Sequence, residues 1–211
     1  MRRIKSDKTK SLPITKEMVW KAYKKVKANG GNGGVDQVSL KDYEQDLVNN
    51  LYKLWNRLSS GSYFPPPVRE VLIPKSNGKQ RKLGIPTVSD RIAQEVLKSY
   101  LEPRMEALFS ENSYGYRPNR SAHQALESVR TNLLSMSWVI DMDIKSFFDE
   151  VDHELLMRAL SVHVEENWVK MYVKRWLVAP RETSEGKQTI PTVQGTPQGG
   201  VISPLLANLY L

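Results

Sequence analysis

Two carboxylates, Asp141 and Asp143, close an apolar run, Trp138-Val-Ile-Asp-Met-Asp143, and two aromatic residues, Phe147 and Phe148, follow at once. The run predicts a short strand, and at period two Val139, Asp141 and Asp143 share one of its faces. Carboxylates at a strand end suit Mg²⁺, which takes oxygen ligands and usually needs only one or two carboxylates plus substrate phosphates. Pairs of such ions support phosphoryl or nucleotidyl transfer by stabilising the attacking and leaving oxygens. Taken alone, the Asp-x-Asp spacing favours a plainer reading, a strand end with solvated acids.

A second segment, Gln194-Gly-Thr-Pro-Gln-Gly-Gly-Val-Ile-Ser-Pro204, combines three glycines and two prolines with one long polar side chain in its centre, Gln198. So little side chain lets backbone approach a ligand closely, and the start of a helix beside it favours phosphate. A simple turn would explain the glycines but not the length of the pattern. A third candidate is a basic hairpin, with Lys75 and Arg81 on either side of Asn77-Gly78. A strand pair could aim both at an anion, or leave both solvated.

Helices and strands must carry these residues. Thr15 to about Asn29 reads as a helix with Met18, Val19, Ala22, Tyr23 and Val26 on one side. The glycine-rich stretch 29–34 ends it and predicts a mobile loop. Ser39 and Asp42 form an acidic capping box for one helix carrying Leu40, Tyr43, Leu47, Leu51, Leu54, Trp55 and Leu58. Strands follow at Val68–Ile73 and Gln80–Ile85. Thr87 and Asp90 cap a helix to about Phe109 that Pro103 could kink or divide, and Ser121 and Gln124 cap another to about Leu134. Helices at 153–161 and 165–178, a hairpin at 181–193 and a helix from Ser203 complete the pattern. Asp149 and Asp152 are candidate caps near His153. The order argues for an α+β fold.

The composition narrows the partners. The chain has 211 residues, no cysteine and a net charge of +8. The missing cysteines exclude disulfides, Cys-ligated zinc and a thiol nucleophile. Residues 1–28 hold ten Lys/Arg against two Asp/Glu, and the remainder is balanced at 21 of each. A basic N-terminus suits a polyanion, nucleic acid being the usual one, or a solvated tail. No apolar run approaches the ~20 residues a bilayer span needs, and the cytoplasm is the expected compartment.

Asp143-Ile-Lys-Ser-Phe-Phe-Asp149 and Gly195-Thr-Pro-Gln-Gly-Gly-Val-Ile-Ser-Pro-Leu-Leu-Ala-Asn208 together resemble two adjacent motifs of reverse transcriptases encoded by group II introns and their bacterial relatives. The segment from Ile73 to Arg91 resembles the fingers hairpin of that family, and that from Ser113 to Gln124 its link between fingers and palm. Four extended matches in order, over about residues 15 to 211, are far more specific than one motif. The resemblance implies a right-hand polymerase fold, with a basic arm at 1–14, an N-terminal extension and fingers at 15–110, and a fingers–palm junction with part of the palm at 111–211.

The resemblance also implies roles. Asp143 would be the catalytic, metal-binding aspartate and the Ile144 carbonyl a second Mg²⁺ ligand. Phe148 would be the steric gate that excludes a ribose 2′-OH, with Phe147 its neighbour in the dNTP site. Lys75, Arg81 and Gln198 would meet the incoming dNTP. Arg91, Arg117 and Arg120 would contact template or brace the junction, and Arg2, Arg3, Lys21, Lys24 and Lys25 would belong to a nucleic-acid-binding arm. Asp141 is supporting rather than catalytic. The implied partners are RNA template, intron RNA, DNA primer and dNTPs. Family members carry a second acidic motif, Tyr-Ala-Asp-Asp, after the last helix. It does not occur in these residues, so the chain reads as cut before it and is expected to be inactive alone. A non-catalytic RNA-binding maturase module is the alternative, and a homodimer formed through exposed palm edges a further one.

Overall fold

The computed structural model describes residues 11–74, 78, 80–183 and 188–211. Helix α4 (Val88–Glu106) is the central post, with Val88, Ile92, Ala93, Val96, Leu97, Leu101 and Met105 all buried. Pro103 lies inside it without dividing it. α1 (Lys16–Asn29), capped by Thr15, lays the predicted face of Val19, Ala22, Tyr23 and Val26 against it. Burial of such side chains contributes roughly 1.5–3 kcal/mol each.

The long helix expected after Ser39 is two. The Ser39–Asp42 capping box forms and starts α2 (Leu40–Gln45), but the backbone leaves helical geometry at Asp46, and α3 (Leu47–Ser59) begins anew. Short polar side chains offer the backbone local alternatives to the helix. Here the Asn50 amide donates to the Tyr43 carbonyl at 3.0 Å, and the Asn49 amide donates to Asp46 at 2.7 Å.

The basic hairpin is β1 (Val68–Pro74) with β2 (Gln80–Ile85), antiparallel. After α5 (Ala122–Leu133), α6 (Phe147–Glu150), α7 (His153–His163) and α8 (Asn167–Leu177), the chain forms β3 (Arg181–Glu182) and β4 (Thr189–Ile190), then α9 (Ser203–Tyr210). β3 pairs parallel to β1 through Val68 and Arg181, giving one sheet of order β2-β1-β3-β4. The β1–β2 hairpin and the C-terminal half therefore share a sheet. α8 closes the core: Tyr172 donates to the Leu58 carbonyl at 2.7 Å, and Arg175 to the carbonyls of Gly61 and Tyr63.

The strand expected at Trp138–Asp143 is not formed. These residues are irregular, and Trp138 is 89% exposed. A strand needs a neighbour to take its backbone hydrogen bonds, and none of the described residues supplies one there. α5, just before, forms on its capping box of Ser121 and Gln124 yet buries none of its residues.

At the start of α8, Glu166 accepts from the Tyr100 hydroxyl at 2.7 Å and from Arg104 at 3.0 Å. The Tyr100 hydrogen bond, with help from Arg104, holds its carboxyl down at about 2. A depressed carboxyl adds stability above the unfolded pKa, and that stability is lost as pH falls through the folded one. The stability gap between wild type and Glu166→Gln, read from urea midpoints, is therefore expected to be widest near neutral pH. It should shrink as pH falls from about 4.5 towards about 2. A gap independent of pH would contradict this role.

Candidate active site

Ser146 takes the left-handed conformation, φ 53°, uncommon for a residue with a side chain. It turns the chain into α6, where the Ser146 carbonyl accepts from Asp149 N–H at 2.8 Å. The two phenylalanine rings stay in edge contact, centres 5.6 Å apart, but line different hollows. Phe147 packs on Tyr210, ring centres 6.1 Å apart, and lines a hollow with Ile144 and Lys145. Phe148 meets Tyr116 edge to face at 6.3 Å and lines a different cavity of about 530 Å³ with Gln198. Two motifs separated by some fifty residues thus converge on one space. Asp143 and Ile144 are exposed, and the described residues contain no group of three His, Cys, Asp or Glu set to hold a metal.

The glycine loop is sewn to protein on both sides. Gly195 N–H donates to the Val151 carbonyl and Thr196 N–H to that of Phe148, at 2.8 and 2.7 Å. On the other side, Gly84 N–H of β2 donates to the Gln198 carbonyl at 2.6 Å. A Cβ on Gly195 would lie 2.6 Å from the Asp149 carbonyl oxygen, and one on Gly199 would lie 2.4 Å from that of Gly84. Gly195 and Gly199 therefore admit neighbouring backbone, a use the composition did not reveal. His153 hydrogen-bonds through Nε2 to the Gly195 carbonyl at 2.6 Å and so helps fix the loop. Asp152 caps α7 by accepting from Leu155 N–H, whereas Asp149 lies within α6 and caps nothing there.

Strand alternation decides which basic residue reaches the cavity. Glu70, Lys82 and Gly84 line it, with Val68 and Arg181. Arg81 pairs with Ile73 on the opposite face. Glu70, buried, lies 3.7 Å from both Lys82 Nζ and Arg181 Nη1. Arg181 was invisible to sequence reasoning because nothing local announces that β3 will pair with β1. Lys75, Arg2 and Arg3 lie outside the described residues.

Several arginines brace the fold. Arg91 is buried and donates to the carbonyls of Gly30 and Asn32 at 2.7 and 3.0 Å, tying the loop expected to be mobile to α4. Arg117, also buried, binds Glu106 and the carbonyls of Ser110 and Ser113. Of the two roles the resemblance offered these two, the observed contacts are those of bracing. Arg120 donates to the Glu111 carbonyl and sits over Tyr114. Lys25 pairs with the buried Glu95 at 3.0 Å. Lys21 and Lys24 are exposed, Lys21 beside Glu17.

The sequence also missed the Asp90 cluster. Asp90 reads as a capping residue, and its N–H does donate to Thr87. Its carboxylate, however, is buried and accepts from Tyr63, Trp176 and Gln94 at 2.8, 2.7 and 2.9 Å. Gln94 in turn accepts from Ile202 N–H at 3.3 Å. One side chain thus links α4 and α8 with the residues ahead of α9.

The α+β arrangement, the converging motifs and the hairpin define a polymerase fingers-and-palm fold. The family model for reverse transcriptase (RNA-dependent DNA polymerase) matches residues 73–211, and the chain belongs to that family. It is 40% identical over 183 residues to protein YkfC of Escherichia coli strain K12, covering 84% of this chain and 48% of that protein. It is 38% identical over 162 residues to the group II intron-encoded protein LtrA of Lactococcus lactis subsp. cremoris, covering 76% of this chain and 27% of LtrA. The chain thus spans about half or less of these relatives. In solved structures, the fold matches a chain of a partial Cas6-RT-Cas1–Cas2 complex with a TM-score of 0.59 and 24% identity, over 93% of this chain and 32% of that one. Among the described residues no helix is long and apolar enough to cross a membrane.

Proposed function

We propose that this chain supplies the fingers and part of the palm of an RNA-directed DNA polymerase of the group II intron type, acting in the cytoplasm. The domains are the basic arm at 1–14, the N-terminal extension and fingers at 15–110, and the junction and partial palm at 111–211. The substrates are dNTPs added to a DNA primer on an RNA template, and the chain also binds intron RNA. The observation that carries this reading is the shared cavity of Phe148 and Gln198, walled by Lys82 of the fingers strand. Phe148, a flat, rigid ring lining that cavity, is the proposed gate against a ribose 2′-OH. Gln198 and Lys82 line the same space, Lys82 offering positive charge for a triphosphate. Lys75 is proposed to add to it, whereas Arg81 lies on the opposite face of β2.

The residues fit Mg²⁺. The Asp143 carboxylate is exposed, is not paired with a cation among the described residues, and is a hard oxygen donor; Ile144, the next residue in the chain, would add its carbonyl. When bound, the metal would supply charge stabilisation at the attacking and leaving oxygens. The 211 residues alone are expected to make no product, since Asp143 is one carboxylate where two-metal transfer needs more. Tests of synthesis therefore use the chain joined to the region that bears the second acidic motif in relatives.

In that protein, Phe148→Ala is expected to raise rNTP incorporation relative to dNTP by roughly a hundred-fold, the upper end of what shape alone discriminates. Primer extension with each nucleotide set reads this directly. Unchanged discrimination would remove Phe148 from the gate.

A further inference from the structure

The groove between α1 and α3 has no part in the site described above. It encloses about 280 Å³. Trp20, Tyr52 and Trp55 line it, Trp20 backed by Tyr23 at 5.4 Å and Tyr52 by Trp55 at 5.7 Å. In each pair one ring anchors and the other faces solvent. Tyr23 is buried, and Trp55 is fixed by its Nε1 donating to the Ile14 carbonyl at 2.9 Å. Trp20 is 43% exposed and Tyr52 49%.

Cations stand on the rings. Lys16 Nζ lies 4.6 Å from the Trp55 ring centre and 5.2 Å from that of Tyr52, and Lys24 Nζ lies 5.4 Å from that of Trp20. The neighbouring acids are already bonded: Glu17 to Lys21, Glu44 to Lys27, and Asp46 to the Asn49 amide. The α1 wall of the groove, Lys16, Val19 and Trp20, belongs to the segment that carries the charge excess, ten basic residues against two acidic over 1–28. Rigid aromatic faces beside unneutralised lysines are how proteins hold single-stranded nucleic acid: bases stack and phosphates meet the cations. An apolar helix from a protein partner would have no use for those lysines.

We infer that this groove is a stacking site for unpaired nucleotides of RNA, with Trp20 and Tyr52 as platforms and Lys16 and Lys24 facing the phosphates. The inference rests on the RNA-binding reading above.

The test is fluorescence anisotropy of a labelled poly(A) RNA of about twelve nucleotides, within the range such sites cover. An abasic strand of the same length is the control. Trp20→Leu and Tyr52→Leu are each expected to weaken poly(A) binding about ten-fold without changing the salt slope. Both should leave abasic binding unchanged, and Trp20→Phe should restore poly(A) binding. Lys24→Ala should reduce the slope by about one. Urea midpoints check folding, and Tyr52→Leu, on the surface of α3, serves if Trp20→Leu disturbs α1. Salt-dependent RNA binding indifferent to Trp20 and Tyr52, or an equal loss with the abasic strand, would overturn the groove alone. No RNA binding by the unaltered chain would overturn the RNA-binding reading with it.

Discussion

Asp143→Ala is expected to lower primer extension by at least about a thousand-fold in the protein that carries both acidic motifs. Losing a metal-ligating carboxylate removes several kcal/mol of charge stabilisation, and each 1.36 kcal/mol is a decade in rate. The variant should fold and bind RNA as before, because Asp143 is exposed and braces nothing among the described residues. Single-turnover extension on an RNA template, beside Asp141→Ala, makes the comparison. Asp141→Ala should cost far less if Asp141 only supports its neighbour. Full activity in Asp143→Ala would place the metal elsewhere and remove the basis of the proposed chemistry.

The second large effect concerns stability. Asp90→Ala is expected to destabilise the protein by about 3–5 kcal/mol, a large share of the ~5–15 kcal/mol that holds a domain folded. The substitution leaves Tyr63, Trp176 and Gln94 as buried donors without their acceptor, at about 1–3 kcal/mol each before relaxation. Asp90→Asn should cost less, about 1–2 kcal/mol. It keeps an oxygen for Tyr63 and Trp176 but sets an amide against the Gln94 amide. If Gln94 turns to correct this, Ile202 N–H loses its acceptor.

Burial pushes the Asp90 carboxyl up, against the donors from Trp176, Tyr63 and Gln94. A raised carboxyl contributes most below its unfolded pKa, and that contribution falls as pH rises through the folded one. Asp90→Asn should therefore flatten that decline, with the sign opposite to the effect of Glu166→Gln. Urea midpoints across pH measure both. An Asp90→Ala variant as stable as wild type would show that the cluster contributes nothing to holding α4 and α8 together.

The local elements were legible because their signals are local. Ser39, Thr87 and Ser121 each cap the helix their spacing announced, and the hairpin of β1 and β2 follows from alternation and a turn. The break at Asp46 was not legible, because the apolar spacing of Leu40 to Leu58 continues through it while Asn49 and Asn50 bond locally. The strand at Trp138–Asp143 failed for the opposite reason. Its sequence is strand-like, but pairing is supplied from outside the segment.

The candidate site divides in the same way. Residue type alone offered Asp143, Phe148, Gln198 and the basic hairpin, and the order of four motifs named the family that the comparison establishes. Which of these share a cavity was a matter of distance in space. Only the folded chain sets Phe148 beside Gln198, turns Lys82 rather than Arg81 to that face, and brings Arg181 in through a parallel pairing. It also sets Gly195 and Gly199 against neighbouring backbone and buries Asp90 among three donors. Contacts between residues far apart in sequence depend on how whole elements pack, and no short pattern records them.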